Sequence, residues 1–205
     1  MKILYVLCIC VFFLCTSCQT VTKNGFAEEQ EPTEQEKIEN EINLLFDAMV
    51  VPNSVKIDVI CQRLINYGDK ALPAIVSNLE NRIPIVRLLS IFCLGQMYEK
   101  TKNKDILQHK KIVKARLQDP IYRVQLEAAS TLVIFQDYSG VPMIIDALND
   151  ENKYVRMTAA QILTTYFQET FGYVYYDEEE RREVAVQKWR DWWTANKNTL
   201  GQKNL

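Results

Sequence analysis

The chain has 205 residues, of which 48% are hydrophobic and 24% are charged, and its net charge at pH 7 is −2. This length and apolar content suffice for the core of one domain. The balance of charges excludes the strongly basic surface that is typical of nucleic-acid-binding proteins. His109 is the only histidine, so a multi-histidine metal site cannot be built, and no Cys/His spacing indicates a metal or another cofactor.

Residues 1–18 have the pattern of a secretion signal. Lys2 precedes thirteen apolar residues, 3–15, which are too few to span about 30 Å of hydrocarbon but match the apolar segment of a signal peptide. The segment ends in Leu14-Cys15-Thr16-Ser17-Cys18, which resembles a bacterial lipoprotein signal, although Cys15 stands where leucine is usual. The resemblance implies that Cys18 is acylated and holds the protein on a membrane of the bacterial cell envelope. A plain secretory signal and a short membrane anchor are the alternatives.

A polar, glutamate-rich segment follows at residues 19–36. It has almost no apolar residues to bury, and we expect it to be a disordered acidic tether. Thr33 and Glu36 have the spacing of a capping box at the start of a helix. Apolar residues then recur at helical spacing, at Ile38, Ile42, Leu45, Phe46 and Met49. We expect this helix to cover the N-terminal end of the folded domain.

Two stretches repeat one pattern 31 residues apart, DPIYRVQLEAASTL at 119–132 and DENKYVRMTAAQIL at 150–163. Each places small and branched apolar residues on one helical face. Matching positions upstream give four helix starts, at Val55, Val86, Val124 and Val155. Second helices are predicted between these starts, as at 71–79 and 140–148, where Pro73 and Pro142 indicate the first turn.

The pattern D-x4-V-[RQ]-x2-A-A-x2-L resembles the HEAT-like repeats of phycobilisome-lyase-type proteins. The resemblance implies an all-α fold, an α-solenoid of about four HEAT-like helical hairpins across residues 37–200, with a capping helix at each end. The repeats are placed near 52–81, 83–118, 120–150 and 152–198. It also implies a ladder that ties neighbouring repeats, made by Arg87, Arg156, Asp119 and Asp150, which Gln125 interrupts.

A basic strip is the first candidate binding surface. Lys110, Lys111 and Lys114 lie beside His109 in the predicted second helix of repeat two. In HEAT-like families second helices line the concave surface, so the resemblance implies that these lysines face an acidic partner or anionic headgroups. A solvated helix face is the alternative.

An aromatic stretch, YFQETFGYVYYDEEE at 166–180, is the second candidate. Tyr173, Tyr175 and Tyr176 are expected either to contact a partner or to seal the end of the solenoid. A short extended segment is also consistent with GYVYYD. The helix that follows carries Trp189, Trp192 and Trp193 on one face, and we expect it to close the C-terminal end.

Cys61 and Cys93 are the two cysteines that follow the signal. They fall on the first helices of consecutive repeats, one residue out of register, so a disulfide is geometrically uncertain. We expect buried free thiols that act as small apolar residues.

These features favour a non-enzymatic scaffold or adaptor that is tethered to the cell envelope and binds a protein partner. No nucleophile with an accompanying base is evident. The alternative is a lyase-like or other enzyme accessory, which only the resemblance to phycobilisome lyases suggests.

Overall fold

The computed structural model describes residues 31–51 and 56–202, and side chains as far as residue 200. The predicted signal, Cys18, Val55 and most of the predicted tether lie outside the described residues. Gln35–Leu205 forms a compact unit. The regular structure of the described residues is entirely helical, which confirms the prediction of an all-α fold. The α-helices are α1 (Glu34–Ala48), α2 (Ile57–Tyr67), α3 (Leu72–Asn78), α4 (Pro84–Thr101), α5 (Lys110–Ala115), α6 (Tyr122–Ile134), α7 (Val141–Asp146), α8 (Lys153–Phe167) and α9 (Glu179–Gln202).

The helices pack in an alternating order. The first helices of the predicted repeats lie side by side, because α2 contacts α4, α4 contacts α6, and α6 contacts α8. The shorter helices α3, α5 and α7 each pack on the first helix that follows them. Pro73 and Pro142 are the second residues of α3 and α7, as predicted, since a helix's first turn has no need of their missing N–H groups.

The predicted register holds in three of the first helices. Val86, Val124 and Val155 are each the third residue of α4, α6 and α8. Eight residues later, the side chains of Leu94, Leu132 and Leu163 are fully buried. Four residues later stand the small residues Ser90, Ala128 and Ala159, which are also fully buried and let neighbouring helices approach closely.

In α2 the prediction is wrong by one residue. Val59, which was aligned with buried Ser90, is 43% exposed, whereas Ile60 and Leu64 are fully buried. The predicted register would place Arg63 at the buried position of Leu94, where a guanidinium would lose its hydration. Arg63 instead reaches the surface and pairs with Glu41 of α1 at 2.6 Å.

Helices α4 and α6 approach closely at a glycine. A Cβ atom on Gly95 would lie 3.0 Å from Oγ1 and 3.2 Å from Cγ2 of Thr131, so a larger residue would push α6 away. The Thr131 hydroxyl donates to the carbonyl of Ile91 at 3.3 Å. This bond satisfies a polar group that is fully buried between the two helices.

The junctions before α4, α6 and α8 share one turn. Asn81, Asp119 and Asp150 each accept, through a side-chain oxygen, a hydrogen bond from the backbone N–H two residues later, at 2.7–3.0 Å. This local bond is an Asx turn, which prepares the chain to enter a helix. The sequence pattern indicated the two aspartates, and Asn81 is the equivalent residue that it missed.

A polar side chain on each following helix reaches back to this turn. Arg87, Gln125 and Arg156, each one residue after the repeat valine, donate to the carbonyl six residues earlier, that of Asn81, Asp119 and Asp150, at 2.5–2.8 Å. Each side chain thereby satisfies a carbonyl at its own junction.

Arg87 also extends to the next junction. Its Nε and Nη2 atoms donate to the two carboxylate oxygens of Asp119, both at 2.7 Å, and both side chains are buried. Burial alone would raise the pKa of Asp119, but hydrogen bonds from Arg87 and the Ile121 N–H, with the charges of Arg87 and Arg116, lower it. Arg156 pairs with no carboxylate among the residues that the structure describes, and it donates to the carbonyl of Tyr175 at 2.8 Å.

Aromatic side chains cover the C-terminal end of the helices. Trp189 of α9 is 1% exposed and lies edge to face with Phe171, with ring centroids 4.9 Å apart, and with Trp192, at 5.5 Å. Phe167 of α8 also packs on Trp192 at 5.0 Å. At the other end, Ile42, Leu45, Phe46 and Met49 of the α1 region are buried in the same core cluster as Ile60 and Leu64 of α2.

The Arg87–Asp119 pair predicts a large mutational effect. Arg87→Ala leaves the buried Asp119 carboxylate without its bidentate partner and should lower the free energy of unfolding by about 3–5 kcal/mol. The exposed pair Arg190–Asp146, 3.0 Å apart, is the matched control, and Arg190→Ala should cost less than about 1 kcal/mol. Urea unfolding followed by circular dichroism measures both, and equal losses would contradict this role for Arg87.

Candidate functional site

The predicted basic strip lies on α5, and only part of it is free to bind. Lys111 is exposed, but the Nζ atom of Lys114 lies 3.1 Å from Oδ2 of Asp137. Lys110 is half-buried and borders a shallow hollow with Tyr138 and Trp193. Burial lowers the pKa of the neighbouring His109. Binding of an acidic partner to the strip stays a prediction.

The three candidate tyrosines differ in exposure. Tyr173 is 9% exposed and belongs to the core, and its hydroxyl donates to the carbonyl of Leu148. Tyr175 is half-buried and Tyr176 is 72% exposed. The burial of Tyr173 fits the sealing alternative, so among the three only Tyr175 and Tyr176 retain surface for a partner. The described segment between α8 and α9 consists of turns, and the extended alternative is not seen there.

Cys61 and Cys93 are free and buried, as predicted. The two thiols lie close enough to hydrogen-bond to each other, and this bond lowers the pKa of Cys61 while it raises the pKa of Cys93. A thiol that is 2% or less exposed is screened from reagents in water, so neither cysteine belongs to an open site.

A concave surface lies on the first helices α4, α6 and α8. A cavity of about 420 Å³ and a second of about 320 Å³ adjoin each other, since Glu127, Thr158 and Ile162 line both. We call this continuous depression the α4–α6–α8 groove. Its lining residues are Leu88, Phe92, Gln96, Glu99, Arg123, Leu126, Glu127, Ser130, Ile134, Asn152, Tyr154, Val155, Thr158, Gln161, Ile162, Thr165 and Tyr166.

The groove has an apolar floor and a polar rim. Leu88 and Phe92 of α4 are partly buried, and Leu126 and Ile162 are buried. Around them stand side chains that can donate or accept hydrogen bonds, such as Gln161. Tyr154, at one end, is 63% exposed although it is aromatic. Such a mixture of apolar area and hydrogen-bonding groups is typical of surfaces that bind a polypeptide.

One carboxyl group at the centre of the groove is electrostatically uncompensated. Glu127 is half-buried, and burial raises its pKa from 4.5 to about 7. No side chain in the described part of the chain forms a salt bridge with it. A carboxylate that loses water without gaining a partner destabilises the folded state.

The neighbouring groups do not relieve this cost. Glu99 of α4 and Glu127 line the second cavity together, and Arg123 lines the first. Burial, with the charges of Glu99 and Glu127, raises the pKa of Tyr166 to about 12. The phenol therefore stays protonated, and it can donate a hydrogen bond but carries no charge.

Sequence reasoning missed this site for a physical reason. The groove residues recur three and four positions apart on α4, α6 and α8, for example Arg123, Glu127, Ser130 and Ile134, but they are chemically mixed. A helical pattern of this kind reads as the solvated face of an amphipathic helix. The available signal was Glu127 inside LEAAS, where a charge interrupts an otherwise small and apolar run.

The described residues contain no group of three or more His, Cys, Asp or Glu side chains placed to hold a metal ion. Among the helices described, none combines the length and the apolar character that a membrane crossing needs.

No similarity to a known protein indicates the fold or the function of this chain. No family model matches the chain. No curated protein and no solved structure is significantly similar to it.

The raised pKa of Glu127 predicts that stability falls as pH rises. The pKa of Glu127 is about 7 in the folded state, and its reference value is 4.5. The folded state therefore binds the proton more tightly, and this contribution to stability is complete below pH 4.5 and is lost as pH rises through 7. Glu127→Gln, which keeps the shape without the charge, should therefore raise the free energy of unfolding by roughly 1–3 kcal/mol at pH 8 and by little at pH 4.5. Glu183→Gln, at an exposed position of α9, is the control. Thermal unfolding at both pH values checks this, and an unchanged difference between them would contradict the burial of the charge.

Proposed function

We propose that this protein is a membrane-tethered, non-catalytic scaffold of the bacterial cell envelope, whose α4–α6–α8 groove binds a segment of a protein partner. The observation that carries the proposal is the groove itself, which runs across the adjacent helices α4, α6 and α8. It combines an apolar floor, a polar rim and a carboxyl group that forms no salt bridge within the described residues. A carboxyl group in a cleft that has a perturbed pKa and lowers the stability of the fold is typical of a functional site.

The scaffold is proposed to be a short α-solenoid of about four HEAT-like hairpins. Support comes from the order of contacts, in which each first helix lies beside the next, and from the equal positions of Val86, Val124 and Val155 in their helices. The Asx turns at Asn81, Asp119 and Asp150 recur at the same points. Stacked repeats of this kind offer extended surfaces that bind other proteins.

The groove, rather than the lysine strip, is the preferred surface. Family expectation placed the partner on the second helices, but α5 carries a lysine that is already paired with Asp137, and its hollow is open and shallow. The groove offers two adjoining cavities of about 420 and 320 Å³. Their lining residues on α6 run from Arg123 to Ile134, about 16 Å along a helix axis, which matches about five residues of an extended peptide at 3.3 Å per residue.

Attachment to the membrane is proposed through lipidated Cys18. Two or three acyl chains hold a protein stably on a bilayer, since each buried methylene contributes about 0.8 kcal/mol. The acidic tether would keep the folded part away from the headgroups, with a root-mean-square reach of roughly 21 Å for the fifteen residues between Cys18 and α1.

Cys18→Ser tests the tether. We expect the wild-type protein to sediment with membranes and the variant to move to the soluble fraction, because only the lipid chains hold it. Cys10→Ala, within the apolar segment and outside the Leu14–Cys18 pattern, is the control and should still sediment. Continued sedimentation of the Cys18→Ser protein would exclude lipidation there.

An enzyme accessory remains the second candidate, and one observation favours it. A carboxyl group with a pKa of about 7 can serve as a general acid or base near neutral pH. Catalysis would then be lost in Glu127→Gln while a binding partner was still retained. A scaffold predicts that this variant changes the affinity for the partner and that no reaction depends on it.

Site-specific photocrosslinking in the native cells tests the groove. A photoreactive residue at exposed Gln161 should yield one adduct of defined mass, and the same residue at exposed Glu183 on α9 should yield none. Thr158→Trp fills the groove from an exposed position and should remove the adduct. Thr164→Trp, exposed on the same helix but not lining the groove, should leave it unchanged. An adduct from Lys111 and none from Gln161 would instead assign the partner to the basic strip.

A further inference from the structure

We propose that Glu127 is the receptor for a lysine or arginine side chain of the docked segment, with apolar residues of that segment seated in the cavities on either side. This inference rests on the proposed function and adds the chemical class of its ligand. It commits the groove to one occupant, a cationic amphipathic polypeptide segment.

The position of Glu127 supports this assignment. Glu127 lines both cavities together with Thr158 and Ile162, so it lies where they meet. Leu88 and Val155 line the first cavity, and Phe92 lines the second. A ligand that fills both therefore crosses Glu127 in its middle and meets apolar surface before and after it.

The charges that face Glu127 also favour a cation. On its own helix Arg123 stands one turn away, at the first cavity, and α4 contributes Glu99 at the second. Helix α8 contributes the phenols of Tyr154 and Tyr166, and the Nζ atom of Lys153 lies 5.2 Å from the centre of the Tyr154 ring, at the end of the groove.

Near Glu127 the balance of charge is negative. The thiols of Cys61 and Cys93 lie close enough for the charge of Glu127 to affect their pKa values, but they are neutral when protonated. Among the side chains that line the groove, the carboxyl groups of Glu99 and Glu127 stand against the one guanidinium of Arg123, so the centre of the groove repels an anion when Glu127 is ionised.

Desolvation makes the pairing selective. Glu127 has already lost part of its hydration in the free protein, as its pKa of about 7 reflects. An incoming cation restores the lost interaction, whereas a neutral side chain would bury the carboxyl group further. The parts of the segment on either side of the cation are selected by apolar contact. Side chains that cover Leu88, Phe92 and Ile162 remove apolar surface from water and so stabilise the complex.

A polypeptide fits better than an isolated cation. Gln96, Asn152 and Gln161 along the rim carry amide groups, which can bond to the backbone of a peptide at several points. A small polyamine would leave the apolar floor exposed. The chain's own N-terminal segment does not match, because residues 28–41 contain seven glutamates and one lysine.

Selection from a random peptide library tests the assignment with the full-length chain in detergent. Dodecapeptides displayed on phage should be enriched for one lysine or arginine between apolar residues, and Thr158→Trp should abolish their binding. Against a selected lysine peptide without histidine, Glu127→Gln should weaken binding about tenfold or more, as loss of a charge-assisted bond predicts. Exchange of that lysine for norleucine should cause the same loss in the wild type and little further loss in Glu127→Gln. Glu183→Gln is the control and should bind normally.

The pH dependence of the affinity for the peptide is a second readout, and a folding defect would not produce the same dependence. A cation binds the ionised carboxyl group, so affinity should rise between pH 5.5 and 8, by up to about tenfold per unit below pH 7. In Glu127→Gln the affinity should be flat across this range. His109, whose pKa is lowered by burial, lies before α5 and does not line the groove.

The outcomes separate the two proposals. Enriched peptides that lack lysine and arginine, or that bind Glu127→Gln as tightly as the wild type, would overturn this inference and leave a groove for neutral segments. Binding that survives Thr158→Trp would place the peptides elsewhere and overturn it as well. If no peptide is enriched, both this inference and the proposed docking function fail.

Discussion

The buried ion pair between Arg87 and Asp119 is the constraint on which the rest of the structure depends. A guanidinium that loses its hydration must bond through its donors, and Arg87 does so with a carboxylate at 2.7 Å and with the carbonyls of Asn81 and Arg82. These bonds join the junction before α4 to the junction before α6. The relative position of the two helices is therefore set at their N-terminal ends, and Gly95 sets it again further along.

The groove follows from that arrangement. Its floor is formed by side chains of α4, α6 and α8 on one side of the array, so its depth depends on how far apart these helices lie. The three junctions are not connected in the same way, because Gln125 stands where α4 and α8 have arginine and it bonds only to its own junction. Helices α6 and α8 are consequently joined without a buried ion pair, and their contact depends on apolar packing such as that of Ala129, Ala159 and Leu163. Both cavities include residues of this less constrained pair of helices in their lining.

Much of the fold could be predicted because it depends on local and periodic signals. The repeat of 31 residues, the equivalent valines and the two prolines all report helix starts, and helix starts are set by neighbours in sequence. The register of α2 was predicted wrongly because only the tertiary position of Arg63, beside Glu41, decides which face is buried. The pairing of Lys114 with Asp137 likewise depends on two elements that are 23 residues apart.

The groove itself could not be predicted in the same way. Its residues are separated by up to 78 positions, from Leu88 to Tyr166, and each belongs to a helix face that looks ordinary when it is read alone. The importance of Glu127 comes from the partial loss of its hydration between neighbouring helices, which no residue pattern encodes. A chain under selection for stability alone would replace such a group by glutamine or alanine, and its presence is the physical reason for assigning a binding function to this surface.

The role of Glu127 is tested most directly by titration of its side-chain carboxyl carbon by NMR in the full-length protein, with Glu127→Gln used to assign the resonance. We expect a midpoint near pH 7 in the free protein and a clear downward shift of this midpoint when a lysine-containing peptide occupies the groove. A midpoint near the ordinary value of 4.5, unchanged by such a peptide, would contradict this role.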